Sequence, residues 1–294
     1  MSEMNNHFLF IFLTAFLVNS CSLFDRKEEL PAFLAISEFE LEVGPFQGSS
    51  SSNITEVMVS IDGTTLGLFE LPATIPILAN GTKEVLFTAI IKQNGVSTDR
   101  VSYPLYSSFI TDVNFTPLDT ALIVPTITYF EGLEFWTEEF TSSIDFEESE
   151  ESEGRLVLVS GELAFADPTP GISGNPSSAI IELESDENYF FAETEENFEL
   201  PFGQPVFVEL NYASNHPFKI GARASVQTAE AIEDLVIILP SSETDQVWKK
   251  IYINVTNFVA ENPGANEFEI YITLNRSNSY PNPKVYLDNV KVVY

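Results

Sequence analysis

Between Ile54 and Lys92 short apolar alternations are cut at Asp62-Gly63 and Asn80-Gly81, and Asn94-Gly95 follows directly. Asx-Gly pairs take the left-handed conformation that a two-residue hairpin turn needs at both central positions. A chain that turns this often has no room for helices between its turns. It is held to short antiparallel strands. Val57, Val59 and Ile61 fall on one face of the strand before the first turn, and Leu66, Leu68 and Glu70 alternate against Phe69 and Leu71 in the strand after it. Pro72 and Pro76 bracket a connection that cannot lie in a central strand, because proline has no N–H to donate to a ladder. Phe33–Val43, Glu84–Lys92, Phe109–Phe115 and Ala121–Ile127 complete the set, so residues 31–127 are expected to form one small β-sandwich.

The second half carries the same signal at greater length. Strands are expected over Gly154–Glu162, Ser178–Leu183, Pro205–Tyr212, Phe218–Gln227, Asp234–Leu239, Val247–Val255, Glu267–Leu274 and Lys284–Tyr294. Only Ala229–Glu233 and Thr256–Ala260 hint at helical turns. About eight strands over residues 140–294 suit a two-sheet jelly roll. The fold class is therefore all-β, with an Ig-like sandwich followed by a larger jelly-roll sandwich. Residues 128–139 read as a linker, with Trp136 placed in the seam between the two. Asp145–Glu153 puts six acids in nine residues, a pattern of solvated loops. Its competing reading is a calcium loop, since Ca2+ takes several carboxylate oxygens. Acidic Ser185–Glu199 is similar, but Tyr189, Phe190, Phe191 and Phe198 make part of it strand-like.

Phe8–Val18 is a nearly unbroken apolar run of eleven residues, interrupted by Thr14. It is too short to span a bilayer comfortably, which takes roughly 20 residues, and it has the length of a signal-peptide core. It leads to Cys21, the only cysteine, so no internal disulfide can form. Residues 1–20 are read as the signal and 21–30 as a tether. Of 44 acids and 13 bases only Glu3 precedes Cys21, so the remainder holds 43 acids against 13 bases, a formal net charge of −30. Such a surface repels nucleic acid, whose binding rests on Lys and Arg contacts to phosphate. With 44% hydrophobic residues and 25 Phe the chain is no disordered acidic tail.

Val18-Asn19-Ser20-Cys21 resembles the lipobox of bacterial lipoproteins, which implies that Cys21 is lipidated and becomes the first residue of the mature chain. With this segment, the N-terminal half resembles Bacteroidota-type outer-membrane lipoproteins of unassigned role. Asp25, Glu28 and Glu29 loosely match the acidic surface-retention signals of that group, so the chain is expected at the outer membrane, facing either the cell surface or the periplasm. Asp62-Gly63, Leu66-Gly67, Pro72, and Gly81 with Val85 resemble PEGA-type and Ig-like β modules of bacterial envelope proteins. Phe207–Tyr212 with Phe218–Ala222, Trp248–Val259 and Tyr286–Val293 resemble the galactose-binding-like jelly rolls of carbohydrate-binding modules. In related modules a structural Ca2+ joins an acid of the first strand to an Asp of the closing strand. The resemblance implies Asp288 for the second and Glu138 or Glu139 for the first. No other cofactor is expected.

The residues offer no bond-making chemistry. G-x-S-x-G is absent, His216 lies in the turn NHPF, and with this many acids a chance carboxylate pair says nothing about glycosidase action. The expected role is a non-enzymatic, lipid-anchored interaction subunit docking on another outer-membrane protein or complex. The alternative is a carbohydrate-binding surface lipoprotein, and a third reading is a calcium-dependent adhesin. Sugar binding needs exposed aromatic faces; Trp136, Tyr212, Trp248 and Tyr280 are the candidates. Tyr212 shares a face with Val206, Val208 and Leu210 and reads as core. Trp248 shares one with Lys250 and Tyr252, so Trp248, Lys250 and Tyr252 are the expected glycan-binding set.

Overall fold

The computed structural model describes residues 28–169, 177–225, 232–239, 247–277 and 282–294. Cys21, the apolar run before it and Tyr280 lie outside them. The expected hairpin is present. Glu56–Ile61 and Thr64–Glu70 pair antiparallel across Asp62-Gly63, both of which have positive φ (46° and 75°). Gly81–Lys92 pairs with Glu56–Ile61 on one side and with Phe109–Phe115 on the other, and its end takes Arg100–Ser102. A second sheet places Ala32–Ile36 between Ala73–Ile77 and Thr120–Ile123, and Glu40–Glu42 pairs with Thr126–Thr128. Alternation decides which side chains meet: Val57, Val59, Val85, Phe87, Leu34, Ile36, Ile75 and Ile77 are all buried in one core.

The C-terminal unit is two antiparallel sheets. One runs Arg155–Ser160, Ser177–Glu182, Lys284–Val293, Phe207–Ser214, Lys249–Asn254; the other runs Phe146–Glu148, Tyr189–Thr194, Glu267–Asn275, Phe218–Ser225, Ile232–Leu239. Their inner faces form a second core containing Phe190, Ala192, Leu210, Tyr212, Ile220, Ile270, Ile272, Leu287 and Val292. Tyr212 is thus core, as its neighbours require. The expected turn at 256–260 is the helix Thr256–Glu261.

Several stretches depart from the sequence reading, among them Phe33–Val43, which is two strands, and Ile232–Glu233, which begin a strand. Phe135–Glu138, expected within the linker, is a strand paired with the end of Lys284–Val293. It carries Trp136 away from the seam and edge-on to Phe146 and Phe198, against the C-terminal core. The acidic run at 145–153 is not all loop, because Phe146 is buried in that core and Phe146–Glu148 pairs with Tyr189–Thr194. The closing strand is also bulged. Glu209 pairs with Lys291 but Asn211 pairs with Asp288, and Asn289 has φ 49°. The extra residue switches the inward positions from Val285 and Leu287 to Val290 and Val292.

Candidate functional site

The two units meet through a polar and aromatic seam. Tyr103, Tyr106 and Tyr129 come from the N-terminal unit, and Phe207, Glu209, Lys250, Tyr252, Lys291 and Val293 from the C-terminal one; all are buried. Tyr103 and Tyr129 donate to Glu209 Oε1 at 2.7 and 2.9 Å, and Lys250 Nζ lies 3.0 Å from Glu209 Oε2. Lys291 Nζ donates to the Ser49 carbonyl at 2.5 Å. Burial pushes the Glu209 carboxyl up, but Lys250, Lys291 and the hydroxyls outweigh it and leave its pKa below the ordinary value. Burial and the Lys250 charge bring Lys291 down to about 7, against the opposing pull of Glu209. Tyr103 packs edge-on to Tyr106 and Phe207. The Asn94-Gly95 turn also serves the seam. Asn94 N–H donates to the Tyr252 carbonyl, and Asn254 N–H donates to the Asn94 side chain.

This seam corrects part of the expected glycan set. Trp248 does line an opening, a cleft of about 330 Å³ with Ser51, Ser52, Asn53, Phe165, Asn211, Lys249 and Lys250. Its ring, however, is half-buried against Phe165 and Tyr286. Lys250 is spent on Glu209, and Tyr252 is sealed in the seam with its hydroxyl accepting from Asn53 N–H at 2.9 Å. Alternation placed these residues on one face correctly, but at Tyr252 that face meets the N-terminal unit, and at Trp248 it is half-covered by Phe165 and Tyr286.

Two of the acids suggested for calcium, Glu138 and Asp288, are held by neighbouring hydrogen-bond donors. Glu138 accepts the backbone N–H groups of Phe140 (2.6 Å) and Asp145 (2.5 Å). Asp288 accepts from the Ser178 hydroxyl and from Asn289 N–H. Burial drives Asp288 up to about 7, with Asp167 and Glu139 adding to the rise. Among the described residues no three His, Cys, Asp or Glu side chains gather as a metal-binding group; Glu138 is spent on backbone N–H groups of its own loop, while Glu139 lies near enough to Asp288 for their charges to interact. His216 is a turn residue: Nδ1 faces the Pro217 carbonyl at 2.6 Å, and Nε2 accepts from Ser277 N–H.

The more open site lies on the outer face of the other C-terminal sheet. Because Phe190 and Ala192 point into the core, Tyr189, Phe191 and Glu193 point out. Register sets Phe191 beside Thr273, Glu193 beside Tyr271, Lys219 across from Thr273 and Gly221 across from Tyr271. A cleft of about 590 Å³ opens there, lined by Tyr189, Phe191, Glu193, Lys219, Arg223, Tyr271, Thr273 and Asn275, with Glu147–Glu151 along one rim. Phe191 and Tyr271 stack at 5.4 Å with 19° between their planes. The Arg223 guanidinium sits 5.0 Å above Phe191 and is held by Glu193 at 2.5 Å. Phe191 and Tyr271 are nearly covered, whereas Tyr189 is half-open and Lys219 and Asn275 are exposed. The rim is pinned, since Ser149 N–H and the Ser152 hydroxyl both donate to the Phe191 carbonyl. Nothing in the cleft pairs a nucleophile with a base. It offers fixed donors, acceptors and an aromatic wall, the equipment for holding a polyhydroxylated molecule. Sequence reasoning noted Tyr189 and Phe191 only as strand formers; the cross-strand partners that make the cleft are up to 86 residues away.

No family model matches the chain, and no curated protein does. Several solved structures align with about half of it. A family 11 carbohydrate-binding module from Clostridium thermocellum, in complex with a β-1,3-1,4-mixed-linked tetrasaccharide, is 14% identical over 54% of this chain and 94% of its own, with a TM-score of 0.33. A xylan-binding domain from Paenibacillus barcinonensis is 15% identical over 53% and 97%, at 0.37. A cleaved adhesin domain of Lys-gingipain is 10% identical over 54% and 97%, at 0.36.

Proposed function

We propose that this chain is a non-catalytic, lipid-anchored binding protein of the outer membrane whose C-terminal cleft holds an uncharged saccharide. The observation that carries this is the cleft itself: a half-open Tyr189 ring, the fixed Arg223–Glu193 pair, and Lys219, Thr273 and Asn275 all line it. An aromatic face takes the apolar face of a sugar, while charged forks and amides take its hydroxyls. Glu147, Glu150 and Glu151 on the rim disfavour acidic sugars by like-charge repulsion. The saccharide reading, the alternative at the level of sequence, moves ahead of docking because a half-open aromatic ring and exposed polar side chains share one cleft.

The test is a glycan array followed by calorimetry on the full chain. Neutral oligosaccharides bind, uronate-containing ones do not, and Tyr189→Ala weakens binding by about tenfold or more, as loss of a central aromatic contact does. An array blank for neutral glycans refutes the reading. Docking on an outer-membrane protein stays as the second reading, favoured by the aliphatic outer face of the N-terminal sheet. There Met58 pairs with Leu68, Leu86 pairs with Ile110, and Leu66, Leu68 and Ile110 are exposed. Its test is co-purification of an integral outer-membrane protein with the full chain in mild detergent, lost in Leu68→Asp.

A further inference from the structure

The first described strand, Ala32–Ile36, begins at an end of the N-terminal unit ringed by leucines. Leu30, two residues before it, is 54% exposed. Leu78 follows Ile77, the partner of Ala32 in the neighbouring strand, and is 69% exposed. Leu118 is 67% exposed, and its N–H donates to the Pro31 carbonyl at 2.8 Å. Leu118 also holds a left-handed backbone, φ 68°. That conformation is uncommon for a residue with a Cβ and, outside glycine, is favoured by Asn and Asp. A leucine held there and turned to water is doubly unfavourable unless something apolar meets it.

The chain identifies what does. Cys21 stands nine residues before Leu30, so even a fully extended tether keeps this end within about 30 Å of an anchor at Cys21. All three leucines therefore sit at the end of the unit that an anchor at Cys21 would tether. We infer that this end of the N-terminal unit rests on the membrane, with Leu30, Leu78 and Leu118 seated among the headgroups of a zwitterionic phospholipid surface. Exposed Glu28, Glu29 and Asp119 beside them disfavour an anionic surface. Apolar side chains at the end of an anchored unit add their own burial to that of the anchor. The consequence is orientation: the unit stands on its leucine end instead of swinging on a loose tether.

This inference rests on the anchor reading, and the experiment separates the two. The full chain is purified from membranes and reconstituted into phosphatidylcholine vesicles, with and without brominated acyl chains. A tryptophan is placed at the tip in Leu30→Trp and Leu78→Trp, and in the C-terminal cleft in Lys219→Trp. Emission added at positions 30 and 78 shifts to the blue and is largely quenched by the brominated lipid. That added at position 219 is not. In vesicles containing one-third phosphatidylglycerol the tip quenching declines. A chain that does not float with the vesicles overturns the anchor and this inference with it. A chain that floats while positions 30 and 78 behave like 219 overturns the inference alone, as does tip quenching that rises with anionic lipid.

Discussion

Replacing Glu209 by Ala removes the acceptor around which the two units are joined. Glu209 is fully buried and takes hydrogen bonds from Tyr103 and Tyr129 while facing Lys250 at 3.0 Å. Its loss leaves Lys250 without its counter-ion and orphans two buried hydroxyls, with Lys291 close by. Breaking a buried pair by deleting one partner costs about 3–5 kcal/mol, because the remaining charge keeps its desolvation penalty without compensation. In a protein of this size each kcal/mol moves Tm by about 2–4 °C, so Glu209→Ala is expected to lower the first thermal transition by about 10 °C. Scanning calorimetry with tryptophan emission as a second probe measures it, since Trp136 packs against the C-terminal core while the damage lies at the seam. The Glu209→Ala, Lys250→Met double variant should regain more than half of the loss, because the orphaned charge is then absent. A single variant that costs less than about 1 kcal/mol, the range of exposed pairs, would show that water reaches the seam and refute the reasoning. A double variant no better than the single would show that the tyrosines, not the ion pair, hold the units together.

Three further outcomes follow from the same geometry. Burial raises Asp288 to about 7 from an ordinary value of 3.8; a carboxyl raised in the folded state contributes stability that is complete below pH 3.8 and lost as pH rises through 7. The stability of the wild type relative to Asp288→Asn should fall by up to about 4 kcal/mol between pH 4 and 7 and level off above pH 8; urea titrations across that range that keep a constant difference would contradict it. Gly95 has φ 70°, and a Cβ there would lie 3.1 Å from Ile251 Cδ1, so Gly95→Ala should destabilise the seam by about 1–2 kcal/mol, read as a lower urea midpoint. Trp248→Ala should cost about 3 kcal/mol or less, because the ring is only half-buried, and leave saccharide affinity in the Tyr189 cleft unchanged by calorimetry.

The strands were legible because their causes are local. Asp62-Gly63 dictates a hairpin from two residues, and Val57 with Val59 dictates its inner face. Tyr212 could be assigned to the core from its neighbours at 206, 208 and 210. The alternation that set Trp248, Lys250 and Tyr252 on one face was also correct, but a single strand does not say what lies against that face. The arrival of Tyr103, Tyr106 and Tyr129 from more than a hundred residues away turned it into a seam. Trp136 was misplaced for the same reason, since four residues of the expected linker found an edge of the closing strand to pair with. The candidate cleft was invisible because it is a property of register: Phe191 meets Tyr271, and Arg223 meets Glu193, only once three strands from 189 to 275 lie side by side. Sequence alone determined that the chain is β and where it turns, because those follow from the torsional freedom of Gly and Asn and from period-two burial. Only the tertiary structure decided which β faces are covered and which stay open, because that depends on partners the local sequence does not contain.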